Sequence, residues 1–532
     1  MEPLRISERQ PKIRLFWSAA GMTVIYGYFA LRYPLPVYLA TPRATWFVPD
    51  QGDWITAGIH LLALLALALL YKMALTAVAP ERSDAGDAKA PSQRTLYAIV
   101  IGGWLLASLL LLFVTPGGES HDIYDYLYRG RLMALDGYSP LAVAPREGPR
   151  GAWYAYVAWK KNVDTYGPAW EYVSAGTSLA VKAWLQWTGK WGSALPACPE
   201  NPASCTQLTA YVTGYRLLVI LLCGLCAWLL RRLLQERYPA WVLPALVFWL
   251  WNPLTLFATA VGAHNDLIML ALWLLCFWAL QRRHWVAGLL LLLLAGHVKL
   301  TGLLPAPMVG LWLVRQIGWR RALACSAAAT ALALPLSYLL YWPLGGWATL
   351  PRMLVERNYF VANSVWQVLY WTLLTYAGWA REPIRALTIT LPSLLFLSGG
   401  VLLSLWWFNW RPVRWREVLT GDGDPWPDTR LWRGVSALVL FYLAVGSFWY
   451  QPWYLLWLLA PAALTPTRRL AHTVAPWLTF GALASNMVAD AIIQQPGDAV
   501  PKLLEFVLVV FMIWAPALIA LALQRRQPAS PA

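Results

Sequence analysis

Apolar stretches long enough to cross about 30 Å of hydrocarbon recur from one end of this chain to the other, with leucine-rich centres at residues 61–70, 218–230 and 289–294. In hydrocarbon every backbone amide and carbonyl must find a partner inside the protein, which confines such stretches to helices or closed barrels, and runs of this length select helices. Charged residues make up 13% and hydrophobic residues 59% of the 532 positions. Soluble proteins carry about a quarter charged residues. An all-α polytopic membrane protein is therefore expected, with no soluble domain of ordinary size left over.

The formal net charge is +16, but the basic residues form short clusters between apolar runs, not one stripe or tail. That distribution argues against a nucleic-acid partner and for a topology signal. Arg5, Arg9, Lys12 and Arg14 precede an apolar run longer than a signal-peptide core, and no small-residue cleavage site follows, so a retained first helix is expected. Setting the clusters at 82–94, 231–237, 282–283, 315–321, 411–430, 468–469 and 525–526 on the cytoplasmic side gives about fourteen crossings with both termini inside. The polar segment 115–207 then lies outside, so residues 170–185 form an interfacial or re-entrant helix and not a full crossing. Residues 345–385 lie on the same side, with a second interfacial helix at 361–374. The chain divides into N-terminal helices (1–114), a first external loop (115–207), a central bundle (208–342), a second external loop (343–385) and a C-terminal bundle (386–532). The expected location is the cytoplasmic (plasma) membrane, with membrane lipid as surroundings.

Cys223, Cys226, Cys276 and Cys325 fall inside apolar runs and read as core residues. Cys198 and Cys205 lie in a polar, proline-rich segment on the external side, where a disulfide is permitted and the sequence leaves the bridge open. No glycine-rich phosphate loop is present, so an activated donor would not be recognised by a cytosolic nucleotide-binding domain. The 35 tryptophans fit interfacial anchoring and sugar stacking alike. Two crossings are short or interrupted, as binding sites in membrane proteins often are: 267–280 is bounded by His264, Asn265 and Asp266, and 303–314 is broken by Pro305 and Pro307.

The segment from Ser120 to Arg131, followed by Gly137-Tyr138-Ser139-Pro140, reads as a short helix at the membrane surface. Asp122 falls in its first turn, where helix N–H groups favour a carboxylate; a capping role is the structural reading. Asp125 has Arg129 four residues on as a salt-bridge partner on an exposed face, leaving Asp122 the freer acid. Lys299, after His297 at the end of an apolar run, either snorkels to the interface or serves as a cation for a phosphate, with Arg352 and Arg357 as further candidates. His264, Asn265 and Asp266 mark an external helix start and suit capping or hydrogen bonds to sugar hydroxyls.

Asp122-Ile-Tyr-Asp-Tyr-Leu-Tyr-Arg-Gly-Arg131 with the downstream Gly-Tyr-Ser-Pro resembles the first-loop motif of bacterial mannosyltransferases with the GT-C fold. Four further segments agree in order: Tyr166-Gly-Pro-Ala-Trp170, Asn252-Pro253 with Gly262 to Met269, Val298-Lys-Leu-Thr301, and Gln451-Pro-Trp-Tyr-Leu-Leu-Trp457. The resemblance runs from about Pro116 to Leu464 and points to the α-mannosyltransferase branch. It implies transfer of a hexose, mannose first, from a polyprenyl-phosphate donor to a hydroxyl of a glycan or glycolipid acceptor, with inversion and with Asp122 as general base. Lys299, Arg352 and Arg357 are then candidates for the donor phosphate. Asp125, Tyr166, His264, Asn265, Asp266, Gln451, Trp453 and Tyr454 are candidates for sugar or acceptor binding. Relatives vary between His and other residues at the position of Gln451, so no proton-transfer role is carried to it. No cofactor is required; a divalent cation is compatible but not demanded, and no ligand spacing for structural zinc occurs. The alternatives are a lipid or solute transporter or flippase, and a transferase of the same fold acting on arabinose, glucose or an aminosugar.

Overall fold

The computed structural model describes residues 4–40, 54–79, 93–115, 120–151, 153–192, 198, 202–357, 361–407, 427–466, 473–493 and 502–525. The basic turns expected at 82–92, 411–426 and 468–469 fall outside them. Among the described residues the regular structure is helical, with two isolated β-bridges, Pro34 to Val114 and Ala362 to Trp449.

Helices α1 (Leu4–Arg32), α2 (Leu35–Ala40), α3 (Trp54–Ala77) and α4 (Gln93–Leu111) come first. The first long loop carries α5 (Asp122–Asp136) and α6 (Pro168–Trp187). The central bundle runs through α7 (Pro202–Leu234), α8 (Val242–Leu250), α9 (Pro253–Leu256), α10 (Asp266–Gln281), α11 (Trp285–Gly296), α12 (Ala306–Ile317) and α13 (Trp319–Tyr341). The second loop carries α14 (Leu350–Arg357) and α15 (Val365–Tyr376). The chain continues with α16 (Arg381–Trp407), α17 (Asp428–Phe441), α18 (Leu455–Ala463), α19 (Ala475–Ile493) and α20 (Lys502–Arg525).

Seven stretches among the described residues are long and apolar enough to cross a membrane: Ile55–Ala77, Arg94–Leu111, Ala203–Leu234, Leu300–Ile317, Trp319–Leu344, Arg381–Trp407 and Leu503–Gln524. An eighth is a bent pair, Pro239–Leu250 with Pro253–Val261, at 57°. The fourteen or so runs expected from hydropathy therefore do not all become full-length rods. Asp266–Gln281 and Trp285–Gly296 are apolar but short, rising about 24 and about 18 Å at 1.5 Å per residue. The stretch at 170–185 lies in α6, and 361–374 contributes to α15; neither is among the spans of crossing length.

One continuous apolar core links α1 to α20, with Trp249, Trp273, Trp432 and Trp457 fully buried in it. Half of the α7 span is buried, against 11% for α13 and 17% for α16. The latter two expose Leu323, Leu332, Leu339, Leu394, Leu397 and Leu402, an outward apolar surface suited to hydrocarbon and not to water. Cys223, Cys226 and Cys276 are buried as expected and Cys325 is half-buried, while Cys198 and Cys205 are joined by a disulfide.

The bend between α8 and α9 has a local cause. Pro253 cannot donate to the α8 ladder, and Asn252 restarts the helix by accepting the Thr255 N–H at 3.2 Å. Its amide also donates to Thr479 Oγ1 (2.9 Å) and Tyr71 OH (3.3 Å), pinning the break between α19 and α3. Beyond it the chain unwinds through a π turn, Phe257–Val261. Buried Arg216 of α7 donates to the Val261 carbonyl (2.9 Å) and the Leu112 carbonyl (2.7 Å), satisfying two helix ends at once. This break delivers His264, Asn265 and Asp266 to the end of the bundle beneath the first loop.

Candidate active site

Ser120 Oγ accepts the Asp122 N–H at 3.1 Å, so a serine engages the start of α5. The N-cap residue His121 makes no side-chain cap bond, and Asp122 Oδ1 accepts from Trp159 Nε1 at 3.2 Å. Burial pushes the Asp122 carboxyl above the usual carboxylate range, against the pull of Trp159, Lys299 and Ser120, and the charge on Asp266 adds to the rise. Helix α5 stops at Gly137, whose φ of 72° provides the left-handed turn.

Asp125 departs from the expected exposed pair. It is 3% exposed, and its carboxylate accepts the backbone N–H of Ala158 (3.0 Å) and of Trp159 (3.1 Å). Arg129, equally buried, lies 3.9 Å from Asp125 and 3.6 Å from Asp164, and donates to the carbonyls of Trp159 (3.1 Å) and Asn162 (2.9 Å). The two side chains clamp residues 158–162 onto α5, which is how the Trp159 indole reaches Asp122. The i,i+4 spacing showed the pair but not the loop that buries it. Burial raises the Asp125 carboxyl to about 7, with Arg129 and the Ala158 N–H opposing. Beside them Glu171 of α6 is fully buried, its carboxyl held well above the usual range by burial and then by Asp164.

The glycines of the motifs have steric reasons. A Cβ on Gly130 would collide with Ser174 and Tyr215 where α5 crosses α6 and α7; one on Gly167 would collide with the His297 carbonyl. That second approach is fixed by the Gly167 N–H to Val298 O (2.9 Å) and the Ala169 N–H to His297 O (3.0 Å). It lays Tyr166 against Lys299.

Lys299 neither snorkels nor stands at the surface. Its Nζ lies 2.8 Å from Asp266 Oδ1, both residues are buried, and the rings of Tyr166, Tyr454 and Trp457 surround it at 5.0, 5.0 and 5.5 Å. Trp457 Nε1 donates to the same carboxylate oxygen at 2.6 Å. His264 stacks on Trp453 with centroids 3.9 Å apart. Ala263, just before it, is held at φ 48°, a strained value for a side-chain-bearing residue. His264 Nδ1, both amide atoms of Asn265 and Asp266 Oδ2 are buried without hydrogen-bond partners among the described residues.

A cavity of about 330 Å³ joins these parts. Of the residues expected from sequence, Asp122, Asp125, Tyr166, Lys299, Gln451, Trp453 and Tyr454 line it. His264, Asn265 and Asp266 sit behind that wall, reaching it through Trp453 and Lys299. Arg352 is turned away from it, donating to the Ala142 carbonyl at 2.8 Å and facing Glu147 at 3.4 Å; Arg357 closes α14, with its side chain outside the described residues. Sequence reasoning missed Trp159, Asn162, Glu356, Trp449 and Asn486, all in the lining. Of these, only Glu356 had a signal, as the one acidic neighbour of the two arginines singled out in the second loop. Among the described residues no three His, Cys, Asp or Glu side chains converge in a metal-ligating group.

Fold and cavity define an all-α polytopic membrane protein with a carboxylate, a lysine and aromatic rings gathered at one end of its bundle. The chain belongs to the family described as alpha-(1->6)-mannopyranosyltransferase, N-terminal domain, which it matches over residues 27–315, more than half its length. Alpha-(1->6)-mannopyranosyltransferase A of Mycobacterium tuberculosis is 27% identical over 455 residues, 80% of this chain and 73% of that protein. A probable alpha-(1->6)-mannopyranosyltransferase of Mycolicibacterium smegmatis is 24% identical over 401 residues, and alpha-(1->6)-mannopyranosyltransferase A of Corynebacterium glutamicum 25% over 236. The chain spans 63% and 40% of the lengths of these last two relatives.

Proposed function

We propose that this protein is a mannosyltransferase, moving mannose from a polyprenyl-phosphate donor to a hydroxyl of a glycan or glycolipid acceptor. The observation that carries the reading is the pairing, in one cavity, of the Asp122 carboxylate with a lysine caged by aromatic rings. Asp122 takes the proton of the acceptor hydroxyl as its oxygen attacks the anomeric carbon, the bond from that carbon to the phosphate oxygen breaks, and the lipid phosphate leaves as an anion. Lys299 stabilises that departing charge, and Asp266, 2.8 Å from its Nζ, holds it in place. Attack opposite the leaving group inverts the centre, so a β-linked donor gives an α-linked product. The site works on the non-cytoplasmic side of the plasma membrane, where a lipid-linked donor replaces a nucleotide sugar. Neither a cofactor nor a divalent cation is needed for this sequence of bond changes, because Lys299 supplies the counter-charge.

The test is single-turnover transfer by purified protein given polyprenyl-phosphate mannose and a lipid acceptor in detergent, where no gradient exists and transport is undefined. Asp122→Asn keeps size but not basicity, and transfer is expected to fall at least about a hundredfold with donor binding retained. Near-normal transfer by that variant would remove Asp122 from the mechanism. Polyprenyl-phosphate arabinose, glucose and aminosugars run in parallel decide the sugar.

A further inference from the structure

The cavity has two chemically distinct ends. At the inner end Lys299 and Trp453 are buried. At the outer end Trp159, Asn162, Glu356 and Trp449 are only half-buried, beside the exposed Ala158 and Lys161. The inner end carries the cation; the outer end carries two indoles and an amide paired with a carboxylate.

The outer group is built from three separate parts of the chain. Trp159 and Asn162 come from the first loop, Glu356 from α14 of the second, and Trp449 from the segment before α18. The Trp159 and Trp449 rings lie with centroids 5.6 Å apart at 54°, giving two inclined apolar faces. Asn162 Nδ2 donates to Glu356 Oε2, tying the two loops together. An amide and a carboxylate side by side offer several donors and acceptors to a pair of neighbouring hydroxyls, and indole faces stack on the C–H face of a pyranose. The group is pre-organised, because Asp125 and Arg129 hold the backbone of 158–162 by four hydrogen bonds.

We propose that Trp159, Trp449, Asn162 and Glu356 form the acceptor-sugar subsite, which binds the terminal hexose of a glycan or glycolipid and presents its hydroxyl to Asp122. The Trp159 Nε1 bond to Asp122 couples this subsite to the base: the same residue that stacks the sugar fixes the carboxylate. Glu356 is the specificity-determining residue, since its carboxylate reads the hydroxyl pattern. This rests on the transferase reading for the name of the acceptor, but sugar binding at the outer end is measurable without turnover.

The experiment uses purified full-length protein and α-linked mannobiose as the probe, with binding read by saturation-transfer NMR. Acceptor KM, kcat and donor binding are measured alongside on a lipid-linked acceptor. Glu356→Gln is expected to weaken mannobiose binding and raise acceptor KM by about tenfold or more, the loss of one charge-assisted hydrogen bond, with donor binding unchanged. Trp449→Phe, which keeps an aromatic face, should lose less than Trp449→Ala. Equal binding by wild type and Glu356→Gln overturns the subsite and leaves the transferase standing, as does an unchanged acceptor KM. Absence of transfer by wild type from every polyprenyl-phosphate sugar sinks the transferase reading without touching the sugar-binding result. If wild type binds no sugar and acceptor KM does not respond to either Trp449 variant, the subsite is wrong.

Discussion

A carboxylate's surroundings, more than its place in a motif, decide what it does here. Asp122 and Asp125 stand three apart on one short helix and both line the cavity, yet Asp122 meets the Trp159 indole while Asp125 is engaged by the backbone of a loop. The motif singled out Asp122, and Asp122 is among the residues that line the cavity. The burial of Asp125 was not legible, because the groups that bury it lie more than thirty positions away. An exposed Asp–Arg pair would cost less than about 1 kcal/mol to break. Here Asp125→Asn gives up acceptor capacity toward two backbone N–H groups and leaves Arg129 buried with less counter-charge, so about 2–4 kcal/mol of lost stability is expected. Chemical denaturation in detergent measures it, and a loss under 1 kcal/mol would return Asp125 to a surface role. The same environment sets two pH dependences. Asp122 must be ionised to act as base and its carboxyl is raised by burial, so the acid limb of kcat/KM should lie above the usual carboxylate pKa of about 4 and disappear in Asp122→Asn. Asp125 is raised to about 7, so between about 4 and about 7 the folded state holds more protons than the unfolded one and stability falls as pH rises. Thermal unfolding across that window should decline less steeply in Asp125→Asn; an unaltered slope would mean that Asp125 is ionised at lower pH than its burial implies.

The elements around the site are short, broken or strained, and their interruptions are what bring its parts together. Asn252 and Pro253 stop one helix so that the chain can unwind to His264; Gly167 lets α6 begin against the backbone of His297 and Val298. Hydropathy marked the break at His264 to Asp266, while Asn252-Pro253 and Gly167 stood out only as members of the motif segments. It could not show that Tyr166 would close over Lys299, since helices α6 to α11 separate the two in sequence and the contact depends on a backbone approach that no periodicity records. Nor could it find Glu356, which joins Asn162 across 194 positions. Gly167→Ala tests this level directly. The added methyl cannot fit against the His297 carbonyl, so α6 must shift, Tyr166 must withdraw from Lys299, and weaker donor binding with a lower melting temperature is expected. Wild-type donor affinity in a folded Gly167→Ala protein would show that the approach of α6 does not set the Lys299 end of the cavity.

Among the described residues, the cavity and the basic clusters at 231–237, 282–283 and 315–321 occupy opposite ends of the bundle. Helix α10 begins at Asp266 and ends before Arg282 and Arg283; α7 ends at Arg231 and Arg232; α12 ends at Arg315. At that basic end Arg237 pairs with Asp428, Arg282 with Glu236, and Gln281 Nε2 donates to Asp428 at 3.3 Å, so α7, α10 and α17 are tied there by charged and polar side chains. At the other end lie the starts of α5, α6 and α10, the turn carrying Lys299, and the Gln451 to Tyr454 turn before α18. Helices spanning a bilayer put these two ends in different compartments, and arginine clusters favour the cytoplasm. By that rule the cavity is expected to open to the opposite side, where the Cys198–Cys205 disulfide would also be at home. Single cysteines at two exposed positions test this: Lys161→Cys beside the cavity and Arg283→Cys at the basic end. In intact cells an impermeant maleimide should label Lys161→Cys and leave Arg283→Cys unlabelled until the membrane is permeabilised. The unsubstituted protein is the control, since its four free cysteines are buried or half-buried in the helices. Labelling of both positions from outside would mean that the two ends are not separated by the membrane. Labelling of Arg283→Cys alone would invert the molecule and place the cavity in the cytoplasm, where a polyprenyl-linked donor has no advantage over a nucleotide sugar.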